Sequence, residues 1–257
     1  MLPEHPRLFV SWRSPKTRLV HTVGRLTHDP AAHAYEFRYV GGVAGATADG
    51  FVPFPEFPAL AGVYRAHHLF PLFANRVLPK SRPDYRAFLG ALGLPPDTAD
   101  PMVILARTGG TRQTDQIELI PAPKPAADGC YLTHCLLRAV KYMPEPAAGE
   151  RLARLRPGEQ LRLFDDWQNP ADPFAVGVRT EDNYMVGYLP AYLTPDVGEL
   201  RKRCDGDVRL LVERYNPPPA EAHHRLLCKL VSCWPGGFTP FTDDRFQPYD
   251  PIRHGAT

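Results

Sequence analysis

The sequence predicts two halves: an α+β domain with an antiparallel sheet, then a small closed or nearly closed β-barrel with two short helices. Three observations lead there. Before residue 121, segments alternating apolar with polar residues come first and segments of helical spacing follow. After residue 130, six short β candidates fall within about 105 residues, with Gly or Pro between them. Between the halves, Pro121-Ala-Pro-Lys-Pro-Ala-Ala-Asp128-Gly129 is extended and turns at Asp128-Gly129. The expected division is 1–121, a linker at 122–130, the barrel at 131–235 and an irregular surface tail at 236–257.

In the first half Arg7–Trp12, Thr17–Leu26 and Tyr35–Tyr39 alternate and are expected as antiparallel strands. Gly41–Gly50 reads as a flexible hairpin loop. Asp84–Leu92 places Tyr85, Phe88, Leu89 and Leu92 on one helical face, with Ser81 as a candidate cap and Gly93 beyond the end. A second helix is expected over Pro101–Thr108, because Asp100 can cap it, Pro101 suits its first turn and Gly109-Gly110 stops it. Ile117–Ile120 is the last strand candidate, and a hairpin joining it to Tyr131–Arg138 is the alternative to a plain linker.

The barrel strands are expected at His134–Tyr142, Gln160–Phe164, Ala175–Arg179, Met185–Tyr188, Val208–Arg214 and Leu226–Cys233. One helix should lie around Gly149–Leu155. The other begins at Thr194-Pro195-Asp196, with Thr capping, Pro in the first turn and Asp complementing the dipole.

Composition narrows the function. Proline is in excess, 30 of 257 residues or about 12% against about 5% in ordinary proteins, which excludes long helices and broad regular sheets. The formal charge of +2 argues against a protein that coats duplex DNA or anionic membrane. Arginine supplies 24 of the 30 basic residues and would favour phosphate contacts wherever a local patch exists. No stretch of eighteen apolar residues occurs, and Met1-Leu2-Pro3-Glu4-His5 opens without a secretory pattern. With five cysteines, an odd number, the expectation is a soluble, cytoplasmic protein whose thiols are reduced.

Several residues carry a resemblance. Arg138-Ala-Val-Lys141-Tyr142, then Asn169-Pro170-Ala171-Asp172-Pro173-Phe174-Ala175-Val176, then Val186-Gly187-Tyr188-Leu189 resemble a HIRAN domain, in order and spacing, over about residues 133–234. The resemblance implies an OB-like barrel that recognises DNA, single-stranded or at a 3′ end. It further implies that Lys141 and Tyr142 contact backbone and stack on a base, that Tyr188 stands where the characterised DNA binder has histidine, and that His224 lies where a base-stacking side chain can be supplied. Ala171 stands where that binder has an aromatic.

Read as chemistry alone, Asn169-Pro170 forces an extended-then-turn path. Asp172 on that turn can cap backbone amides or accept a hydrogen bond from a ligand hydroxyl. Beside a nucleic acid a carboxylate suits a terminal 3′-hydroxyl, since it would repel a phosphate. Tyr142 can stack on any base or pack into the barrel, and Lys141 can meet backbone or solvent. With what the resemblance implies added, the candidate nucleic-acid-binding residues are Arg138, Lys141, Tyr142, Asn169, Asp172, Tyr188 and His224. Arg179, Arg214, Arg225 and the Arg201-Lys202-Arg203 run are further basic positions, the run being by default a solvated helix end.

The first half resembles the N-terminal subdomain of HipA-type toxin kinases over about residues 7–121. Val23-Gly24-Arg25-Leu26, Tyr35-Glu36-Phe37-Arg38-Tyr39, Leu69 to Pro79 and Ile104 to Gly110 carry that resemblance. It implies an interaction module, with no ATP site carried over.

Other chemistry is not encoded. No phosphate-binding Gly-rich loop with lysine and no Gly-x-Ser-x-Gly elbow occurs. The five-residue steps Cys130–Cys135 and Cys228–Cys233 do not fit a zinc site, the second pair falling on opposite faces of a strand. Asp196, Glu199 and Lys202 crowd one helix, unlike a metal-dependent nuclease. Asp165-Asp166 reads as turn carboxylates. The expectation is a non-enzymatic DNA-binding protein without metal or cofactor, with a possible protein partner through residues 1–121. The alternatives are a toxin-system interaction or antitoxin-like module without DNA binding, and a recognition subunit of a separate nuclease or translocase.

Overall fold

The computed structural model describes residues 6–98, 100–143, 147–170 and 172–254. They form two compact units, one of residues 6–82, 100–122 and 239–254, the other of 83–98 and 123–238.

The first unit carries β1 (Leu8–Arg13), β2 (Val20–Asp29), β3 (Ala34–Tyr39), β4 (Val63–Ala66) and β5 (Ile117–Pro121). They make one antiparallel sheet in the order β4-β3-β2-β1-β5. Alternation along β3 sends Tyr35, Phe37 and Tyr39 inward, where they join Phe51, Phe54, Phe57, Phe70 and Phe73 in one core. The Phe37 ring stacks on Phe57 at 4.2 Å. The buried Tyr39 hydroxyl donates to the Phe57 carbonyl (2.9 Å) and accepts from the Phe54 amide (2.8 Å), so its burial leaves both functions used. The helix Pro101–Thr108 has the expected ends: the Asp100 carboxylate accepts from the Met102 amide at 2.8 Å, and Gly109 is left-handed at φ 72°.

Two expectations for this unit fail, for one shared reason. Gly41–Gly50 is no hairpin loop but contains the helix Val43–Ala48. The aperiodic tail is no loose surface segment but returns to the sheet. Val40 bridges Pro248, the Gly41 amide donates to the Gln247 carbonyl at 2.9 Å, and the Tyr249 amide to the Tyr39 carbonyl at 3.0 Å. Phe241 and Phe246 pack on Phe9 at 5.3 and 5.0 Å. Gly41 and Gly42 allow this approach, because a side chain there would collide with the carbonyl oxygens of Asp244 and Thr22. Glycines that look like loop flexibility are thus sites of close backbone contact.

The second unit carries β6 (Cys130–Leu136), β7 (Gln160–Asp165), β8 (Val176–Arg179), β9 (Met185–Tyr188), β10 (Val208–Tyr215) and β11 (Leu226–Cys233). The antiparallel order is β6-β11-β10-β7-β8-β9. The sheet curls, and a bridge between Arg138, just past β6, and Tyr188 in β9 joins its first and last strands. The Asp128-Gly129 turn is local: the Asp128 carboxylate accepts from the Cys130 amide at 3.0 Å, and Ala126 donates to the Cys130 carbonyl at 2.8 Å. The alternative hairpin does not form, since β5 pairs with β1 and β6 with β11.

The helices of this unit are Tyr85–Ala91, Ala147–Ala153 and Thr194–Arg203. Ser81 does not cap the first, which starts after Asp84 without a side-chain cap bond. Nor does Thr194 cap the third. A 3₁₀ turn, Ala191–Leu193, leads into it, and the Thr194 hydroxyl donates back to the Ala191 carbonyl at 2.9 Å. Asp196 does not complement a dipole from the surface. It is buried and accepts from the Tyr131 hydroxyl at 2.8 Å, and burial pushes its carboxyl up to about 6 against the smaller opposing effect of that hydrogen bond.

The expectation of five reduced thiols also fails: Cys204 at the end of the third helix and Cys233 at the end of β11 form a disulfide, with Cα atoms 6.0 Å apart. A tertiary approach across 29 residues leaves no mark in cysteine spacing. Cys228 is buried while Cys233 is exposed, as a five-residue step along a strand requires. Among the described residues, no helix is long and apolar enough to cross a membrane.

Candidate nucleic-acid interface

The seam of the curled sheet positions the first candidate residues. The Arg138 amide donates to the Tyr188 carbonyl at 2.8 Å and the Tyr188 amide to the Arg138 carbonyl at 3.0 Å. Gly187 makes this possible: it sits at φ 150°, and a Cβ there would lie 2.7 Å from the Arg138 carbonyl oxygen. The expected strand to Tyr142 therefore ends at Leu136. Ala139 turns left-handed at φ 59°, and a 3₁₀ turn over Val140–Tyr142 buries Val140 while leaving Lys141 and Tyr142 in solvent. Tyr142 is 72% exposed, and the Lys141 ammonium sits 4.6 Å from its ring centroid, a cation–π pair.

The β7–β8 loop supplies the next group. The Asp166 amide donates to the Ala175 carbonyl at 2.9 Å, extending the ladder one pair beyond Asp165–Val176. The Asp166 carboxylate accepts from the Tyr188 hydroxyl at 2.8 Å and from the Asn169 side-chain amide at 3.5 Å. Asn169 in turn accepts from the Asp172 amide at 3.2 Å, and Asp172 accepts from the Phe174 amide at 2.9 Å. The Asn-Pro-x-Asp segment is thus an Asx-type turn in which Asp172 caps a backbone amide. Burial first, then the Asp166 hydrogen bond, raise the Tyr188 phenol, so its hydroxyl is a fixed donor. Ala171, and with it the question of one side of a base sandwich, lies outside the described residues.

His224 closes a 3₁₀ turn, Ala222–His224, between β10 and β11. Its carbonyl accepts from the Asn216 side-chain amide at 2.7 Å, and its ring meets Phe88 edge-on at 5.9 Å. Burial, then the charges of His223 and Arg138, pull the His224 imidazole down to about 4. The ring is neutral at physiological pH. The Val140–Tyr142 turn lies against the Ala222–His224 turn, and the Arg138–Tyr188 and Tyr188–Asp166–Asn169 hydrogen bonds tie the seam to the β7–β8 loop. Glu221, His223 and His224 hold potential metal-ligating atoms within 4.8 Å of one another, but the Arg138 charge disfavours a cation there.

Four of the other basic positions are internally engaged. Arg201 pairs with Asp165 (2.7 Å), Lys202 with Glu199 (3.3 Å), Arg203 with the Gly236 carbonyl, and Arg179 covers the Phe164 ring (5.7 Å). Sequence reasoning missed three residues. Asp166, read as a turn carboxylate, joins Tyr188 to Asn169. Trp167 and Phe174 are 73% and 72% exposed on either side of the Asn169–Asp172 turn. Only the aromatic-turn-aromatic spacing hints at them.

Comparison with known proteins places the second unit. A similar solved structure is the HIRAN domain of human HLTF, 16% identical, covering 40% of this chain and 74% of that one at a TM-score of 0.29. Another is a protein from Lactobacillus plantarum, 18% identical, covering 39% and 89% at a TM-score of 0.31. No curated protein matches the chain. The HipA-type resemblance of residues 7–121 rests on its motifs alone, since the family match begins at residue 133. Residues 133–234, which hold most of β6 and all of β7 to β11, match the family model of the HIRAN domain.

Proposed function

We propose that the second unit binds DNA through its seam and β7–β8 loop, preferring single strands or a 3′ end, and that the protein is a non-enzymatic recognition module. The observation that carries this is the exposed Lys141–Tyr142 pair, a cation and a stacking ring held beside Arg138 by a tight turn. Such a pair suits a strand whose phosphates are accessible and whose bases are unstacked. Asp172 supports the preference for a 3′-hydroxyl, because its carboxylate can accept from a hydroxyl and repels a terminal phosphate.

Fluorescence anisotropy with single-stranded oligonucleotides ending in 3′-hydroxyl or 3′-phosphate, and with the duplex, tests the reading. Binding should rank hydroxyl end, phosphate end, duplex, and Tyr142→Ala should weaken it by about 1–3 kcal/mol. Equal affinity for the two ends removes the end preference; no binding at low salt removes the function.

A further inference from the structure

Trp167 and Phe174 are large aromatic residues that the fold leaves in water, each about three-quarters exposed, in a unit that buries a continuous core elsewhere. Their placement is not accidental to the loop. The β7–β8 register pairs Phe164 with Gly177 and Asp165 with Val176, and the Asp166–Ala175 hydrogen bond carries it one step further. Trp167 and Phe174 come next along the chain, each inside a turn rather than in the ladder. These two turns hold them: the Asn169 amide donates to the Asp166 carbonyl at 3.1 Å across Trp167, and the Ala175 amide to the Asp172 carbonyl at 3.1 Å across Phe174. With Asn169 and Asp172 cross-linked as well, the rings stand on a fixed base.

We infer that Trp167 and Phe174 are base-stacking surfaces, one at each end of this loop, that take unstacked nucleobases and so select single-stranded over duplex nucleic acid. This rests on the DNA-binding reading given above. Charge decides which part of the strand meets them. Asp166 and Asp172 flank the two rings along the chain, an environment that repels phosphate but accepts hydrogen bonds from the amino and imino groups of bases. Phosphates fall instead to Lys141. The pair therefore contributes affinity through stacking, which salt scarcely alters, whereas Lys141 contributes through charge, which salt screens.

The test uses the full chain and a single-stranded oligonucleotide at two salt concentrations, read by anisotropy and by tryptophan emission. Trp167→Ala should weaken binding about five- to hundredfold by the same factor at both salts, whereas the loss from Lys141→Ala should shrink at the higher salt. Trp167→Phe should keep the affinity yet abolish most of the emission quenching, since Trp12 and Trp234 are partly buried. Both side chains are exposed, so folding should be unchanged, which circular dichroism checks. Wild-type binding with no loss in Trp167→Ala and Phe174→Ala overturns the inference, assigns the rings to another contact such as a protein, and leaves the DNA-binding reading standing. No binding by the wild type overturns both.

Discussion

In the first unit Phe37, Tyr39, Phe51, Phe54, Phe57 and Phe73 lie buried against one another, whereas in the second Tyr142, Trp167 and Phe174 stand in solvent. The barrel core is instead mostly aliphatic: Val176, Val178, Val186, Leu189, Leu210, Val212 and Leu230, with Tyr131 among them. Exposed large aromatics cost solubility and are rarely clustered without a ligand to meet. The same residue class is thus core material in one unit and, on our account, contact surface in the other. Substitutions can separate these uses.

The largest effect is expected at Phe37, whose ring touches Tyr39, Phe57 and Phe73. Phe37→Ala should cost about 3–5 kcal/mol in denaturant titration, and leave oligonucleotide affinity unchanged while both units stay folded. A matching loss of affinity would break the division of roles.

Asp196 tests the barrel core. Its folded carboxyl is raised by burial from 3.8 to about 6, so the folded state holds the proton more tightly than the unfolded chain. The stability this confers is full below about pH 4 and is lost as pH rises through 6. Asp196→Asn keeps an acceptor for Tyr131 and removes the charge. It should be about 2–3 kcal/mol more stable than wild type at pH 8 and equal to it near pH 4, by chemical denaturation at both pH values.

A smaller effect is expected at the seam. Gly187→Ala brings a methyl group against the Arg138 carbonyl and imposes a φ that alanine resists, costing about 1–3 kcal/mol in melting experiments. Because the same contact sets the Arg138 backbone, affinity should fall as well, unlike in Asp196→Asn.

Local chemistry made much of the fold legible. Leu226–Cys233 and Pro101–Thr108 have the expected bounds, one as a short β candidate set off by its neighbours, the other from Asp100 and Gly109. Four-residue β4 was missed, because Val63–Ala66 has too few residues for a period to show. The returning tail, the Cys204–Cys233 bond and the buried Asp196 were also missed, since each depends on chain segments far apart in sequence. At the candidate interface, the resemblance to a HIRAN domain singled out Asn169, Asp172, Tyr188, Arg138 and the Lys141–Tyr142 pair. It could not single out Asp166, Trp167 or Phe174, whose proposed parts rest on the hydrogen bonds of Asp166 and the exposure of the two rings.

Amide hydrogen exchange with and without saturating single-stranded oligonucleotide tests the division most directly. Protection should appear in peptides containing Tyr142, Asp172 and His224, with the β1–β5 sheet unchanged. Protection confined to the first unit, or none while anisotropy reports binding, would contradict the account.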